Sequence, residues 1–445
     1  MNAPTTSGGL SRRGFLGMTA AAATLPLLAA CAPSSTSTST AASTGGGSTE
    51  AIKFWDMQWG VAAYATEGKD LTNSYVPASG LGPATYQSIS WTNFYQTFAS
   101  AIASKTGPAV SSGSGYQAFQ FDSQGAIAYA DDVVAGLKKD GEYDDFLPGT
   151  FDFLNTSNGY VGVPWQLDMR VLVYRKSLLE KAGVQVPTDW DTLLSAGKAL
   201  KKIGIVGFGT ASGAGSLMGA QTILGLMINN GGGLFDPDGK PDCVNVRNVE
   251  TLEFLKELSS NGIMDPAAVS YTDANLNDGW TSGKIGMGFN SVPGIGTALG
   301  GTDIMVGSPL AGPHGDKGAL YYVNNLMMYK NTPSQDSSNA FLRWYLDNMQ
   351  AYWQKGLINA VPVRKSIVAL PAFQKDANSV KAVQEWQPIS KTFATKATKG
   401  SAALNAIEAG TAFTEFAQQV IEGQSDPKTV LEKLQKAVQS AVNGS

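Results

Sequence analysis

Few side chains in this 445-residue chain could make or break a bond. His314 is the only histidine, in the loop GPHGDKG. No Ser or Cys stands in a nucleophile turn, and a hydrolytic triad needs a base held by a third group. The stretch DPDGKPD (236–242) opens like a calcium loop, but its twelfth position is Arg247 where a bidentate Glu is required, so it reads as a turn. GFGTASGAG (207–215) sets glycines after an apolar strand without the G-x-G-x-x-G spacing of a nucleotide loop. Paired glycosidase carboxylates stand about 5–10 Å apart, a geometry that sequence does not display. What recurs instead is an aromatic plane beside a carboxylate or amide. Trp55, Asp56 and Trp59 end IKFWDMQW, and Tyr116 and Gln117 follow the loop SSGSG. Trp165 and Asp168 stand at the mouth of the apolar run in GVPWQLDMRVLVYRKS, and Tyr322, Asn324 and Asn325 lie in YYVNN.

Strands and helices that alternate along the chain must position them. Patterning predicts strands over 52–59, 84–91, IGIVGFG, KIGMGFN, DIMVGSPL and ALYYVNNLMMYK. Apolar residues at Phe94, Phe98 and Ile102 predict a helix after the second strand. Ser177 with Glu180, and Thr188 with Asp191, match the capping-box pattern of two further helices. SLMGAQTILGLMINNGG and VETLEFLKELSSNG are helices stopped by glycine. The last helix begins with Asp426 as cap and Pro427 at its first position. Trp190, Trp280, Trp344 and Trp353 fall in helical apolar stripes and are expected in the core. The alternation predicts an α/β fold of mostly parallel strands covered by helices.

Composition narrows the partners. A net charge of −4 and a pI near 5.2 argue against nucleic acid, which is met by basic stripes. Residues 1–31 read as an address: Arg12 and Arg13 precede AAAATLPLLAA, too short to span about 30 Å of hydrocarbon, and then LAAC ends at Cys31. This predicts a twin-arginine-type lipoprotein signal peptide whose Cys31 carries lipid. Residues 1–30 contain two arginines and no acids, so the remainder carries −6. Of the two cysteines only Cys243 is then left, and no internal disulfide can form. Residues 32–50, rich in Ser, Thr and Gly, read as a flexible tether on an outward-facing membrane surface.

The order of landmarks resembles one family over nearly the whole chain, the extracellular solute-binding proteins, family 1, which are sugar-binding components of ABC importers. The resemblance is carried by IKFWDMQWG, FASAIASKTGPAV, GVPWQLDMRVLVYRKSLLEKAGVQVPTDWDTLLSAGKAL, NNGGGLFDPDGK, SGKIGMGFN, SPLAGPHG and AVPVRKS. The central stretch is the most specific. The chain departs from the family at Pro108-Ala109, where Pro-Asp is common, and by the insertion over 65–83.

The resemblance implies a two-lobed periplasmic-binding-protein fold of the class II type, each lobe a mixed, mostly parallel sheet flanked by helices, with a hinged cleft. It places one lobe over 51–168 and 307–365 and the other over 169–306 and 366–445, with crossings near 168, 306 and 365. A sugar offers apolar C–H faces and a rim of hydroxyls, which call for aromatic planes, carboxylates and amides. The implied ligand residues are Trp55, Asp56, Trp59, Tyr116, Gln117, Trp165, Asp168, Asn290 (with Ser291), Tyr322 and Asn324. Asp168 falls where the family presents a hydroxyl-binding carboxylate, and Asn290 where many relatives carry a stacking aromatic. The expected protein is a monomeric lipoprotein, not an enzyme, without metal or cofactor. Its partners are a mono- or oligosaccharide, permease subunits and, through lipid, the membrane. The alternatives are a secreted glycoside hydrolase, or the same fold holding glycerol phosphate, a peptide or a polyamine, with Arg364 the nearest cation for a phosphate.

Overall fold

The structure, a computed structural model, describes residues 48–291, 299 and 301–444. The expected leader, Cys31 and the tether up to residue 47 lie outside the described residues. The first strand shows how the chain is layered. In β1 (Ile52–Met57) side chains alternate between faces. Phe54 packs on Phe341 and Tyr345 of the helix Gln335–Asn348, while Trp55 meets Phe98 of the helix Phe94–Ala103 on the opposite side. Both faces are covered, so the strand is apolar throughout apart from Lys53 and Asp56.

The described strands form two sheets. The larger carries β1, β2 (Ala84–Ile89), β3 (Val110–Gly113), β4 (Ile127–Ala128), β5 (Val163–Met169), β10 (Ala319–Tyr329), β11 (Val361–Pro362) and β12 (Ser390–Lys391). Its main path runs β11-β5-β10-β3-β1-β2, with β4 and β12 also paired to β10. The smaller sheet has the order β7-β8-β6-β9, built from β6 (Val171–Arg175), β7 (Val206–Gly209), β8 (Ile285–Asn290) and β9 (Ile304–Val306). The sheets are mixed, as the resemblance implies, with more antiparallel pairing than the alternation predicts. β1 runs parallel to β2 and β3, β12 to β10, and β7 to β8, but β10 is antiparallel to β3, β4 and β5, and β6 to β8 and β9. The reason is β10, which enters the larger sheet from the far end and inserts between β3 and β5. Where Pro164 of β5 offers no amide, the pairing with β10 shifts register between Asn324 and Asn325.

Local caps differ from the patterns in instructive ways. The helix Trp190–Lys202 starts one residue later than expected: Asp189 accepts from the Thr192 amide at 2.8 Å, and the Thr192 hydroxyl accepts from the Asp189 amide. Ser177 forms no box with Glu180, because its amide and hydroxyl both donate to Asp303, 126 residues away. The last helix, Pro427–Asn443, begins as expected, with Asp426 accepting from the Thr429 amide at 3.0 Å. The inserted segment 65–83 contributes to the helix Ala63–Asn73 lying on β2. Gly68 leaves room there for the Tyr86 ring, which a Cβ would meet at 2.7 Å. Trp190, Trp280 and Trp353 are buried and Trp344 partly buried, as the helical stripes imply.

Candidate functional site

Strand direction decides where chemistry gathers. In the larger sheet β1, β2, β3 and β5 point their carboxyl ends to one edge. That edge therefore holds Gln58 and Trp59, Trp91, Ser114 to Tyr116, and Asp168, joined by Tyr321 and Tyr322 from the amino end of antiparallel β10. In the smaller sheet β7 and β8 end on Thr210 and on Asn290 with Ser291. β5 leaves the first sheet at Met169 and β6 enters the second at Val171, so Arg170 stands where the two edges meet. Open α/β sheets bind ligands beyond the carboxyl ends of their strands.

Arg170 ties the two edges together. Its Nη1 donates to Asp168 Oδ1 at 2.6 Å and to Ser291 Oγ at 2.7 Å. Its Nε donates to Gln221 Oε1 at 2.7 Å, from the helix Met218–Asn229. The Ser291 hydroxyl also donates to Asp168 at 2.7 Å, and the guanidinium lies 5.7 Å from the Tyr322 ring centre. Burial opposes the charge of Arg170, yet neighbouring Asp168 holds its pKa above the usual value.

A second carboxylate completes the cluster from the carboxyl-terminal part of the chain. Glu408, on the helix Ala402–Ala409, accepts from the Tyr95 hydroxyl at 3.0 Å and is only 6% exposed. Burial pushes its carboxyl up to about 7 against donation from Tyr95 and Tyr322. Tyr95 begins an aromatic ridge through Phe94 to Trp91, whose ring stands edge-on to Trp59 at 4.7 Å. The Trp91 indole donates to the Gln58 carbonyl at 2.6 Å, and its ring is 41% exposed, a flat apolar face at the same edge. Sequence reading missed Tyr95, Trp91, Gln221 and Glu408. Trp91 ends ATYQSISW and was legible as a strand-edge aromatic, but nothing in LNAIEAG marks Glu408.

The residues expected from sequence fall into three groups. Asp168, Tyr322, Tyr116 and Asn290 come together around Arg170: the Tyr116 ring is 5.6 Å from Tyr322, and Asn290 accepts from the Ser291 amide at 2.8 Å. Asp56, Trp59 and Trp165 gather on the other face of the larger sheet. Asp56 is fully buried and accepts from Tyr64 at 2.9 Å and Ser112 at 2.6 Å, and the Trp59 indole donates to that same Ser112. Burial pushes the Asp56 carboxyl up to about 7 against those donors. Trp165 is fully buried between Trp59, Tyr352 and Trp353, because positions three apart on a strand face opposite sides and Asp168 takes the other. Trp55, Gln117 and Asn324 are buried, Trp55 against Phe98 and Asn324 opposite Gln166 on β5. Cys31 lies outside the described residues.

Other candidates resolve into structure. His314 pairs with Glu250 at 2.9 Å, and the Asp236 carboxylate accepts from the amides of Asp238 and Lys240, closing a turn. Arg364 is held by Asp145, Asp347 and Glu142. Among the described residues no group of three or more His, Cys, Asp or Glu could hold a metal. A concavity of about 340 Å³ runs along β7, lined by Thr210, Tyr271, Asp278 and Lys284 and by none of the residues that bond Arg170.

Residues 83–352 match the sequence profile of the bacterial extracellular solute-binding proteins, more than half of the chain. The chain belongs to this family. It is a solute-binding protein and not an enzyme, and no helix among its described residues is long and apolar enough to cross a membrane. A crystal structure of a sugar transporter from Arthrobacter chlorophenolicus A6, with bound laminaribiose, is 54% identical, with a TM-score of 0.82 over 88% of this solute-binding protein and 99% of that chain. The GacH receptor of Streptomyces glaucescens shares the fold, at 21% identity and a TM-score of 0.72 over 89% of this chain and 99% of that one. A binding protein of Brucella abortus is 23% identical over 209 residues, 45% of this chain and 51% of that protein. The solute-binding protein thus spans about half the length of that curated relative.

Proposed function

We propose that this solute-binding protein captures a neutral disaccharide or short oligosaccharide where the carboxyl edges of its two sheets meet, and passes it to the permease of an ABC importer. The observation that carries the reading is the cluster of Asp168, Arg170, Tyr322, Gln221, Ser291 and Glu408, drawn from both sheets and a carboxyl-terminal helix. The 54% identity to a chain crystallised with laminaribiose supports it and makes that disaccharide the reference ligand. Carboxylates only accept, so Asp168 and Glu408 suit ligand hydroxyls, and the exposed face of Trp91 suits a pyranose ring.

The lobes would be 51–168 with 307–365 and 169–306 with 366–445, moving as bodies about crossings near 168, 306 and 365. A ligand that touches both edges favours the closed arrangement by its differential contacts, and closure removes water from the charged cluster. Cys31 would carry the lipid, and 32–50 would leave the monomeric receptor free to meet its permease on the outer face of the membrane. A phosphorylated ligand such as glycerol phosphate fits poorly. It needs an open guanidinium or ammonium, and Arg170 and Arg364 are both engaged by carboxylates.

Titration of the purified protein with mono-, di- and oligosaccharides, glycerol phosphate and peptides, followed by tryptophan fluorescence, tests the reading. Saturable quenching or enhancement by a disaccharide is expected. Response to glycerol phosphate or a peptide, with silence toward every saccharide, would overturn it.

A further inference from the structure

We propose that Glu408 is a specificity-determining residue of this site, whose charge selects neutral saccharides and rejects anionic ones; the inference rests on the carbohydrate reading above. Its carboxylate is buried in the cluster, accepting from Tyr95 of the helix Phe94–Ala103 at 3.0 Å. The groups facing it from the elements packed around it are Tyr95, Tyr116 and Tyr322, Asp168, and the guanidinium of Arg170. Two carboxylates thus feel the charge of one guanidinium, which donates through Nη1 to Asp168 and Ser291 and through Nε to Gln221 and not to Glu408. Asp273, which accepts from Ser216, adds a further negative charge on the Arg170 side.

A neutral sugar brings hydroxyl donors to these acceptors. A uronate or phosphorylated sugar brings another negative charge to a buried space without an unengaged cation among the groups named. Two like charges about 6 Å apart at an effective dielectric of about 20 repel by more than it costs to protonate Glu408 at pH 8, so proton uptake caps the penalty at about tenfold in affinity. Removing one of them by Glu408→Gln keeps the shape and an acceptor oxygen for Tyr95. Burial raises the Glu408 carboxyl to about 7, so the charge is present at pH 8 and largely absent at pH 5.5. A uronate stays ionised at both, its reference pKa being about 3–4.

The test measures calorimetric affinities of the full chain and of E408Q for laminaribiose and for the matching disaccharide carrying one uronate. At pH 8 the wild-type protein is expected to prefer laminaribiose by about tenfold. That preference is expected to shrink by roughly five- to tenfold in E408Q at pH 8 and in the wild-type protein at pH 5.5. If E408Q does not fold, Glu408→Ala read in the same comparison takes its place. An unchanged preference, or none at pH 8, overturns the role of Glu408. Laminaribiose binding with an unchanged preference removes this inference only, whereas failure of every neutral saccharide to bind removes the carbohydrate reading and this inference with it.

Discussion

Asp56 gives the most quantitative prediction. It is wholly buried, held by the hydroxyls of Tyr64 and Ser112, and its carboxyl is raised from 3.8 to about 7, chiefly by burial. A carboxyl with a raised folded pKa binds its proton more tightly in the native state. Its stabilising contribution is therefore complete below about pH 4 and is lost as pH rises through about 7. Each pKa unit corresponds to about 1.4 kcal/mol, so moving from pH 5 to pH 8 crosses about two units and lowers stability by about 2.7 kcal/mol through this group. Asp56→Asn keeps the shape and an acceptor for Ser112 while abolishing the titration. Urea unfolding of both proteins at pH 5 and pH 8 gives the double difference, expected at about 2–3 kcal/mol. Glu408 shifts in the same direction but contributes to both proteins and cancels. A double difference below about 0.5 kcal/mol would refute the reasoning that burial raises the Asp56 carboxyl.

Other outcomes follow from the same geometry. Asp168→Ala removes the acceptor of two hydrogen bonds at 2.6 and 2.7 Å and leaves buried Arg170 without its counter-charge. Saccharide affinity should fall by at least about 1.5 kcal/mol, roughly tenfold or more. Stability should fall by about 1–3 kcal/mol, both read by calorimetry, and unchanged affinity would return Asp168 to a structural role. Trp91→Ala should weaken disaccharide binding by about 1 kcal/mol with little change in Tm, since its ring is 41% exposed; equal losses of affinity and Tm would mark it as core instead.

Much of this was legible in the sequence because it depends on local pattern. Strand alternation in IKFWDM, the Asp426–Pro427 start and the apolar stripes around Trp190 and Trp280 are short-range features, and the structure carries them. Non-local partners were not legible. Ser177 follows Asp303 rather than Glu180, and Glu408 acquires its role from Tyr95, 313 residues earlier in the chain. Strand position predicted that Trp165 and Asp168 would share the edge, yet the pleat sends the ring into the packing around Trp59 and the carboxylate toward Arg170. The order of strands was equally hidden, since nothing within ALYYVNNLMMYK says that it will run antiparallel between β3 and β5.

A crystal structure of the protein grown with laminaribiose tests the central claim most directly. The account predicts one disaccharide between the two sheet edges, within hydrogen-bond reach of Asp168 and Glu408 and with a pyranose face against Trp91. A disaccharide seated elsewhere, such as the concavity along β7, with the Arg170 cluster dry and uncontacted, would contradict it.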